Sequence, residues 1–225
     1  MNVKKQKYTV IKKENNFHDF TAKGVWENID QISIDTKSYL WKDNGYTPTV
    51  IIKMFHTDKD IYLNFKVFEE KIKIKQTKFG GDVWKDSCVE FFINPFPNQS
   101  EEYFNIEINA IGVPLIGVGK VNDPKRYYFT KDGVKDWSII PSIKESKNGL
   151  HGNDFWTLHC RIPKLFFEKY YNKKFNVDSG IANFYKCGDE TEFEHYGAWN
   201  RVDSVEPNFH LPQYFGEICF SEKIE

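Results

Sequence analysis

Residues 88–93, CVEFFI, and residues 103–110, YFNIEINA, decide the fold. Side chains of an extended chain alternate between two faces, so each run splits into two rows. Val89, Phe91 and Ile93 form one row of the first run. Phe104, Ile106, Ile108 and Ala110 form one row of the second, and both rows are continuous apolar surfaces suited to the core between two sheets. The opposite rows are Cys88, Glu90 and Phe92, and Tyr103, Asn105, Glu107 and Asn109. Carrying the Cys88 row back through VWKDS adds Asp86 and Trp84, so Trp84 and Glu90 are expected on one face.

Outward from these runs the chain is punctuated at short intervals by Gly, Pro, Asn and Asp, which divides strands. Further strand-like runs are Thr49 to His56, Ile61 to Phe68, Phe155 to Ile162, Gly180 to Lys186 and Gly216 to Phe220. The TDKD turn at residues 57–60 joins the first two, its aspartates reading as turn formers. One helix is expected, Pro163 to Tyr171, with proline in its first turn and apolar residues at three-to-four spacing. Many strands, no βα alternation and one short helix predict an all-β fold, an antiparallel, jelly-roll-like β-sandwich, as one domain over residues 1–225.

Composition narrows the function. The 31 Lys plus Arg balance 32 Asp plus Glu, a net charge of -1, without the basic excess of a nucleic-acid binder. The longest apolar stretch, Ala110 to Gly119, contains Pro114 and three glycines and is too short to span a membrane. The N-terminus lacks the apolar run of a signal peptide, which predicts a cytoplasmic protein if Met1 is the true start and a secreted one otherwise. Cys88, Cys160, Cys187 and Cys219 lie far apart in apolar segments, without zinc-site spacing. Nothing in their positions predicts a facing pair, so four free thiols are expected. Aromatic residues make up 17% of the chain, favouring strands and stacking surfaces.

The row Tyr103, Asn105, Glu107, Asn109 contains neither Lys nor Thr, the usual occupants of a solvated strand face, although such a face is its plainest reading. Planar polar groups beside aromatic rings solve the recognition problem of a sugar, which has an apolar face of C–H groups and a rim of hydroxyls that donate and accept. Trp84, Glu90, Asn105, Glu107, Asn109 and Trp199 supply that mixture. The segment IANFYKC, residues 181–187, repeats the style with Asn183 and Tyr185 on one parity.

At these residues the chain resembles the family 9 carbohydrate-binding modules. The resemblance is carried by DVWKDSCVEFFINP (82–95), YFNIEINAIGVPL (103–115), IPKLFF (162–167), GIANFYKCGDE (180–190), HYGAWN (195–200) and FHLPQYFGEICF (209–220). It implies a β-sandwich in which two tryptophans enclose a sugar, at a glycan's reducing end, while a glutamate and an arginine bind its hydroxyls. Trp84 matches the first tryptophan and Glu90 the glutamate. Trp199 is the candidate for the second tryptophan, with a buried core indole as the alternative. The arginine has no clear counterpart, and Arg126 or Arg161 would have to serve. The resemblance also admits structural calcium, for which Asp189, Glu190 and Glu192 are the candidates beside a solvated acidic loop. No other cofactor is expected.

Two other function classes fit parts of the sequence. Glu90 and Glu107 on neighbouring strands would suffice for glycoside hydrolysis if their separation allowed it. A haem site would need an axial ligand such as Met54, which reads as a core residue. The histidines show no metal-binding spacing, and His195 and His210, flanking Trp199, are the pair to watch.

Overall fold

Alternating β-branched and aromatic positions build thirteen strands. They are β1 (Lys7–Lys12), β2 (Gln31–Ile34), β3 (Thr49–His56), β4 (Asp60–Phe68), β5 (Cys88–Asn94), β6 (Tyr103–Asn109) and β7 (Pro114–Gly119). After these come β8 (Tyr127–Tyr128), β9 (Ser138–Pro141), β10 (Trp156–Pro163), β11 (Ser179–Cys187), β12 (Tyr196–Ala198) and β13 (Gly216–Ile224). The computed structural model describes residues 5–41, 44–143, 155–175 and 178–224. His151 lies outside the described residues. No helix among those described is long and apolar enough to cross a membrane.

The strands form one sheet in the order β8-β7-β6-β5-β11-β13-β1-β3-β4-β10-β9, with β12 on β11 and β2 on β3. The sheet curls so that its two arms face each other: Phe65 of β4 meets Phe184 of β11 edge-on, with ring centroids 6.3 Å apart. All seven strand runs read from the sequence form, within a few residues of their expected ends. The pairing is antiparallel except at β1, which runs parallel to both β13 and β3 and joins the arms. Sequence reading missed β1, whose Tyr8 and Val10 are buried between flanking lysines, and β7, where glycines break the apolar row.

The expected core rows meet as expected. Val89, Phe91 and Ile93 pack with Phe104, Ile106 and Ile108 and, from the other arm, with Met54, Leu63, Leu158 and Cys160. The one α-helix among the described residues, α1 (Lys164–Tyr171), follows Pro163 and closes one end by setting Phe167 edge-on against Phe104, centroids 5.1 Å apart. It stops at Asn172, whose left-handed φ of 49° ends the hydrogen-bond ladder.

The opposite rows differ from a solvated face. Every residue of β5 and β6 is buried, because the chain from Ala198 to Phe215 folds over their outer side, setting Phe215 against Phe92 and Tyr103.

One buried charge cluster ties the arms together. Lys186 of β11 donates to Glu69 Oε1 at 3.1 Å, to the carbonyl of Cys187 at 2.9 Å and to His195 Nε2 at 2.8 Å. Glu69 also accepts from Ser87 Oγ and from Trp156 Nε1, both at 3.0 Å. Lysine can only donate, so His195 is the Nδ1–H tautomer, and that hydrogen goes to the carbonyl of Phe193. Burial and the Lys186 charge hold its pKa far below the usual histidine range.

Both partners of the pair are fully desolvated, so removing one strands the other. Glu69→Gln is expected to cost about 3–5 kcal/mol in guanidinium unfolding, whereas Glu69→Gln combined with Lys186→Met recovers much of that loss. Equal losses in the single and double variants would show that the cost of the single change is not that of a stranded partner.

Candidate functional site

Trp84 is carried by the 3-10 turn Val83–Lys85 that leads into β5. The turn is anchored from three sides. Asp86, fully buried, accepts from the backbone N–H groups of Lys75 and Gln76 and from Asn109 Nδ2, the last at 3.1 Å. The carbonyl of Trp84 accepts from the N–H of Asp189 at 3.2 Å. Strand parity does not extend back through a 3-10 turn, yet this anchoring brings Trp84 to the same cleft as Glu90.

That cleft encloses about 230 Å³ and is floored by Glu90 of β5 and Glu107 of β6, which lie directly opposite each other in the strand register. Trp84, Leu115, Tyr196, Phe209, Asp189, Tyr128 and His210 also line it. Phe209 is held by stacking on Tyr185, with ring centroids 4.0 Å apart and planes within 11°.

The carboxyls have different partners. Cys187 Sγ donates to Glu90 Oε1 at 3.0 Å. Asn105 Nδ2 donates to Glu107 Oε1 at 2.9 Å, and Asn105 Oδ1 accepts from Arg126 Nη1 at 2.6 Å. A Cβ at residue 117 would lie 2.6 Å from Asn105 Oδ1, so Gly117 leaves the room this amide needs. Arg126 lies over the Tyr103 ring, 4.5 Å from its centroid, in an adjoining cavity that shares Tyr128, Asn208 and His210 with the cleft. Glu107 Oε2 is buried and has no partner.

Desolvation dominates the electrostatics. Burial, with smaller contributions from Cys187 and Glu107, pushes Glu90 well above the ordinary carboxyl range. Burial likewise pushes Glu107 up to about 7 against the Asn105 hydrogen bond and the Arg126 charge, and Asp189 up to about 6. His210 is pushed down to about 4, by burial first and the Arg126 charge second. Both floor carboxyls are therefore more readily protonated than a solvated carboxylate, and a protonated carboxyl can donate as well as accept.

The structure brings together Trp84, Glu90 and Glu107, and connects Asn105 and Arg126 to them. Two expected contacts lie elsewhere. Asn109 is fully buried with its amide spent on Asp86, the carbonyl of Gln76 and the N–H of Val113, so it positions the Trp84 turn and has no group left for a ligand. Trp199 packs edge-on against Phe184 in the main core, centroids 5.6 Å apart, and does not line this cleft. Tyr196 and Phe209, not among the expected site residues, line the cleft with Trp84. Both stand in quoted motifs, but aromatic type alone did not single them out.

Arg161 binds Asp60, Ser138 and the carbonyl of Asp136, away from the cleft. Met54 is in the core, as read. His195 and His210 do not act as a pair, one serving the buried charge cluster and the other the cleft. The acidic loop does not fit calcium: Glu190 pairs with Lys73 and Lys85, Glu192 pairs with Lys71, and Asp189 alone turns to the cleft. Among the described residues, the side chains grouped closely enough for a metal are Cys88, Glu90 and Cys187. Cys88 and Cys187 are opposite each other across β5 and β11, a facing pair that their positions along the chain do not predict.

Residues 24–220 match the pattern of carbohydrate-binding family 9. Among solved structures, a proposed carbohydrate-binding protein from Bacteroides uniformis is 26% identical with a TM-score of 0.81, over 97% of this chain and all of that one. A family 9 module from Caldicellulosiruptor kristjanssonii solved with glucose is 12% identical with a TM-score of 0.63, over 97% of both chains. The same organism's module with cellotriose is 11% identical at the same TM-score, over 97% of this chain and 95% of that one. No curated protein matches the chain.

The raised carboxyl of Glu107 has a measurable consequence. Its folded pKa of about 7 exceeds the unfolded value, so the native state holds the extra proton between about pH 4.3 and about 7. By linkage its contribution to stability falls as pH rises through that window. His195 and His210, held neutral, contribute the opposite slope at acid pH, so the test is a difference. The unfolding free energy of the wild type minus that of Glu107→Gln should drop by about 1–3 kcal/mol between pH 4 and pH 8 in urea titrations. A flat difference would show that Glu107 keeps an ordinary pKa.

Proposed function

The chain belongs to carbohydrate-binding family 9, and from that membership and the geometry of the cleft we propose that it binds a mono- or oligosaccharide without turning it over. The observation that carries the reading is the unpaired, buried Glu107 Oε2 in a cleft shared with Glu90 and Trp84. A buried polar atom without a partner is costly, and a sugar hydroxyl, which can both donate and accept, would satisfy it while the apolar face of the sugar covers the indole. Arg126 fixes Asn105, and Asn105 fixes the other oxygen of Glu107, so the free oxygen is oriented before the ligand arrives. Glucose and cellotriose, held by the solved family modules, are the first ligands to test, with a reducing end as the expected point of attachment.

The carboxyl environments argue against hydrolysis. A retaining glycosidase needs one protonated acid and one ionised nucleophile, a division produced when neighbouring pKa values are pushed apart. Here burial pushes Glu90 and Glu107 in the same direction, and each has one oxygen already engaged by a protein donor.

Trp84→Ala should weaken binding of glucose or cellotriose by roughly 1–3 kcal/mol, measured by calorimetry. A large fall in melting temperature with unchanged affinity would place the indole in the core. Reducing cellotriose to its alditol tests the reducing end, since full retention of affinity would remove that preference.

Glu90→Gln separates binding from catalysis. It keeps the shape and the acceptor for Cys187 but loses the acid proton, and should cost about 1–3 kcal/mol of affinity. If affinity persists while a measurable cellotriose hydrolysis disappears, the chain is an enzyme.

A further inference from the structure

The pairing of β5 with β11 sets Cys88 directly opposite Cys187. Opposed residues of an antiparallel pair have Cβ atoms about 4.5–5.5 Å apart, just outside the usual disulfide range of about 3.5–4.5 Å. The two sulfurs and a carboxylate oxygen of Glu90 all lie within 4.8 Å of one another, so both thiols point to the same side of the sheet. Apart from the Cys187 bond to Glu90, the sulfurs make only long contacts, Cys88 Sγ with the carbonyl of Val89 at 3.6 Å and Cys187 Sγ with the carbonyl of Trp84 at 3.7 Å. Cys160 lies on β10 in the core and Cys219 on β13 against Glu217, without such a neighbour.

We propose that Cys88 and Cys187 are a disulfide site beneath the cleft, closed during folding by exchange with a low-molecular-weight disulfide such as oxidised glutathione. One cysteine thiolate attacks oxidised glutathione, forming a mixed disulfide and expelling one glutathione thiolate. The second cysteine thiolate attacks the protein sulfur of that mixed disulfide and expels the other. Two protein thiols thus give up two electrons and two protons, and oxidised glutathione becomes two reduced glutathiones. Burial pushes Cys88 up to about 11 and Cys187 well above the ordinary thiol range, so the finished fold presents little thiolate. Exchange belongs to the stage before the cysteines are covered.

The bond would have two effects. It closes a loop of about a hundred residues, which restricts the unfolded chain. It also removes the thiol hydrogen that Glu90 Oε1 accepts, leaving that oxygen for a ligand hydroxyl, and fixes β5 against the end of β11, two residues before Asp189 at the cleft margin. This second effect rests on the sugar-binding reading of the cleft, and it predicts tighter sugar binding in the bridged form.

The test is to refold the protein either in a mixture of reduced and oxidised glutathione or in dithiothreitol with a chelator. Thiols are then counted in denaturant after the small molecules are removed. Four thiols are expected from the dithiothreitol sample and two from the glutathione sample, with one non-reducing peptide joining Cys88 to Cys187. The glutathione sample should melt several degrees higher, a difference absent from both Cys88→Ser and Cys187→Ser. Four thiols in both samples, or a bridge through Cys160 or Cys219, would overturn the proposal. So would zinc retained by untreated protein whose two thiols react only after chelation, which would make Cys88, Glu90 and Cys187 a metal site. Glucose calorimetry on the two wild-type samples separates the readings. Equal affinity removes the link to the cleft, whereas no binding in either sample defeats sugar recognition and leaves the thiol count standing.

Discussion

Lys186 and Glu69 carry opposite charges where water is absent, and the position of the cleft follows from how that cost is offset. A buried ion pair is tolerated only when the remaining hydrogen-bonding capacity of both ions is filled. Here it is filled from several parts of the chain: Ser87 from the approach to β5, Trp156 from β10, His195 from the approach to β12, and the carbonyl of Cys187. Each of those contacts fixes an element that also borders the cleft or its support. Because faces alternate along a strand, a Lys186 locked inward sends Tyr185 and Cys187 outward, one to stack under Phe209 and the other to Glu90. The charge cluster and the cleft are the two faces of one strand end.

The cleft itself gains its chemistry from the cover over β5 and β6. Had those outer rows faced solvent, Glu90 and Glu107 would be ordinary surface carboxylates, ionised and hydrated. The chain from Ala198 to Phe215 closes over Phe92 and Tyr103, and the cleft lined by Trp84, Glu90 and Glu107 opens beside this cover. Desolvation then raises both carboxyls, and the same desolvation increases the value of each hydrogen bond a ligand makes there. Salt bridges on the rim, such as Lys85 with Asp82 and Glu190, are half-exposed and contribute little to stability, but they keep lysine charge off the cleft floor.

What was legible in the sequence was what depends on local period. Rows of alternating apolar residues gave the core faces of β5 and β6, and three-to-four spacing gave α1. Arg126, offered only as a substitute, reaches Asn105 because β8 returns beside β7, a placement that no local pattern contains. Asn109 was misjudged for a related reason. Its parity was right, but the loop at residues 75–76 and Asp86 come back to use its amide, and tertiary contacts of that kind leave no trace in strand alternation. Trp199 was misjudged because a large flat surface in a sequence says nothing about which layer will cover it.

On the sugar-binding reading, the absence of Trp199 from the cleft bears on how tightly a ligand would be held, since the cleft's other aromatic residues are Tyr128, Tyr196 and Phe209. An indole presents more flat area than a phenyl ring, so stacking on Phe209 would give up part of the apolar contact that two tryptophans would supply. The polar floor has the means to offset that loss. Glu107 has one oxygen fixed by Asn105 and one left open, and a group oriented by its neighbours loses little freedom when a hydroxyl arrives. Phe209 is in turn fixed from behind by Tyr185, so neither wall nor floor needs to be ordered by the ligand. On the sugar-binding reading, recognition in this cleft would depend more on a preset arrangement of hydrogen-bond partners than on stacking area, because Arg126 fixes Asn105 and Asn105 fixes Glu107.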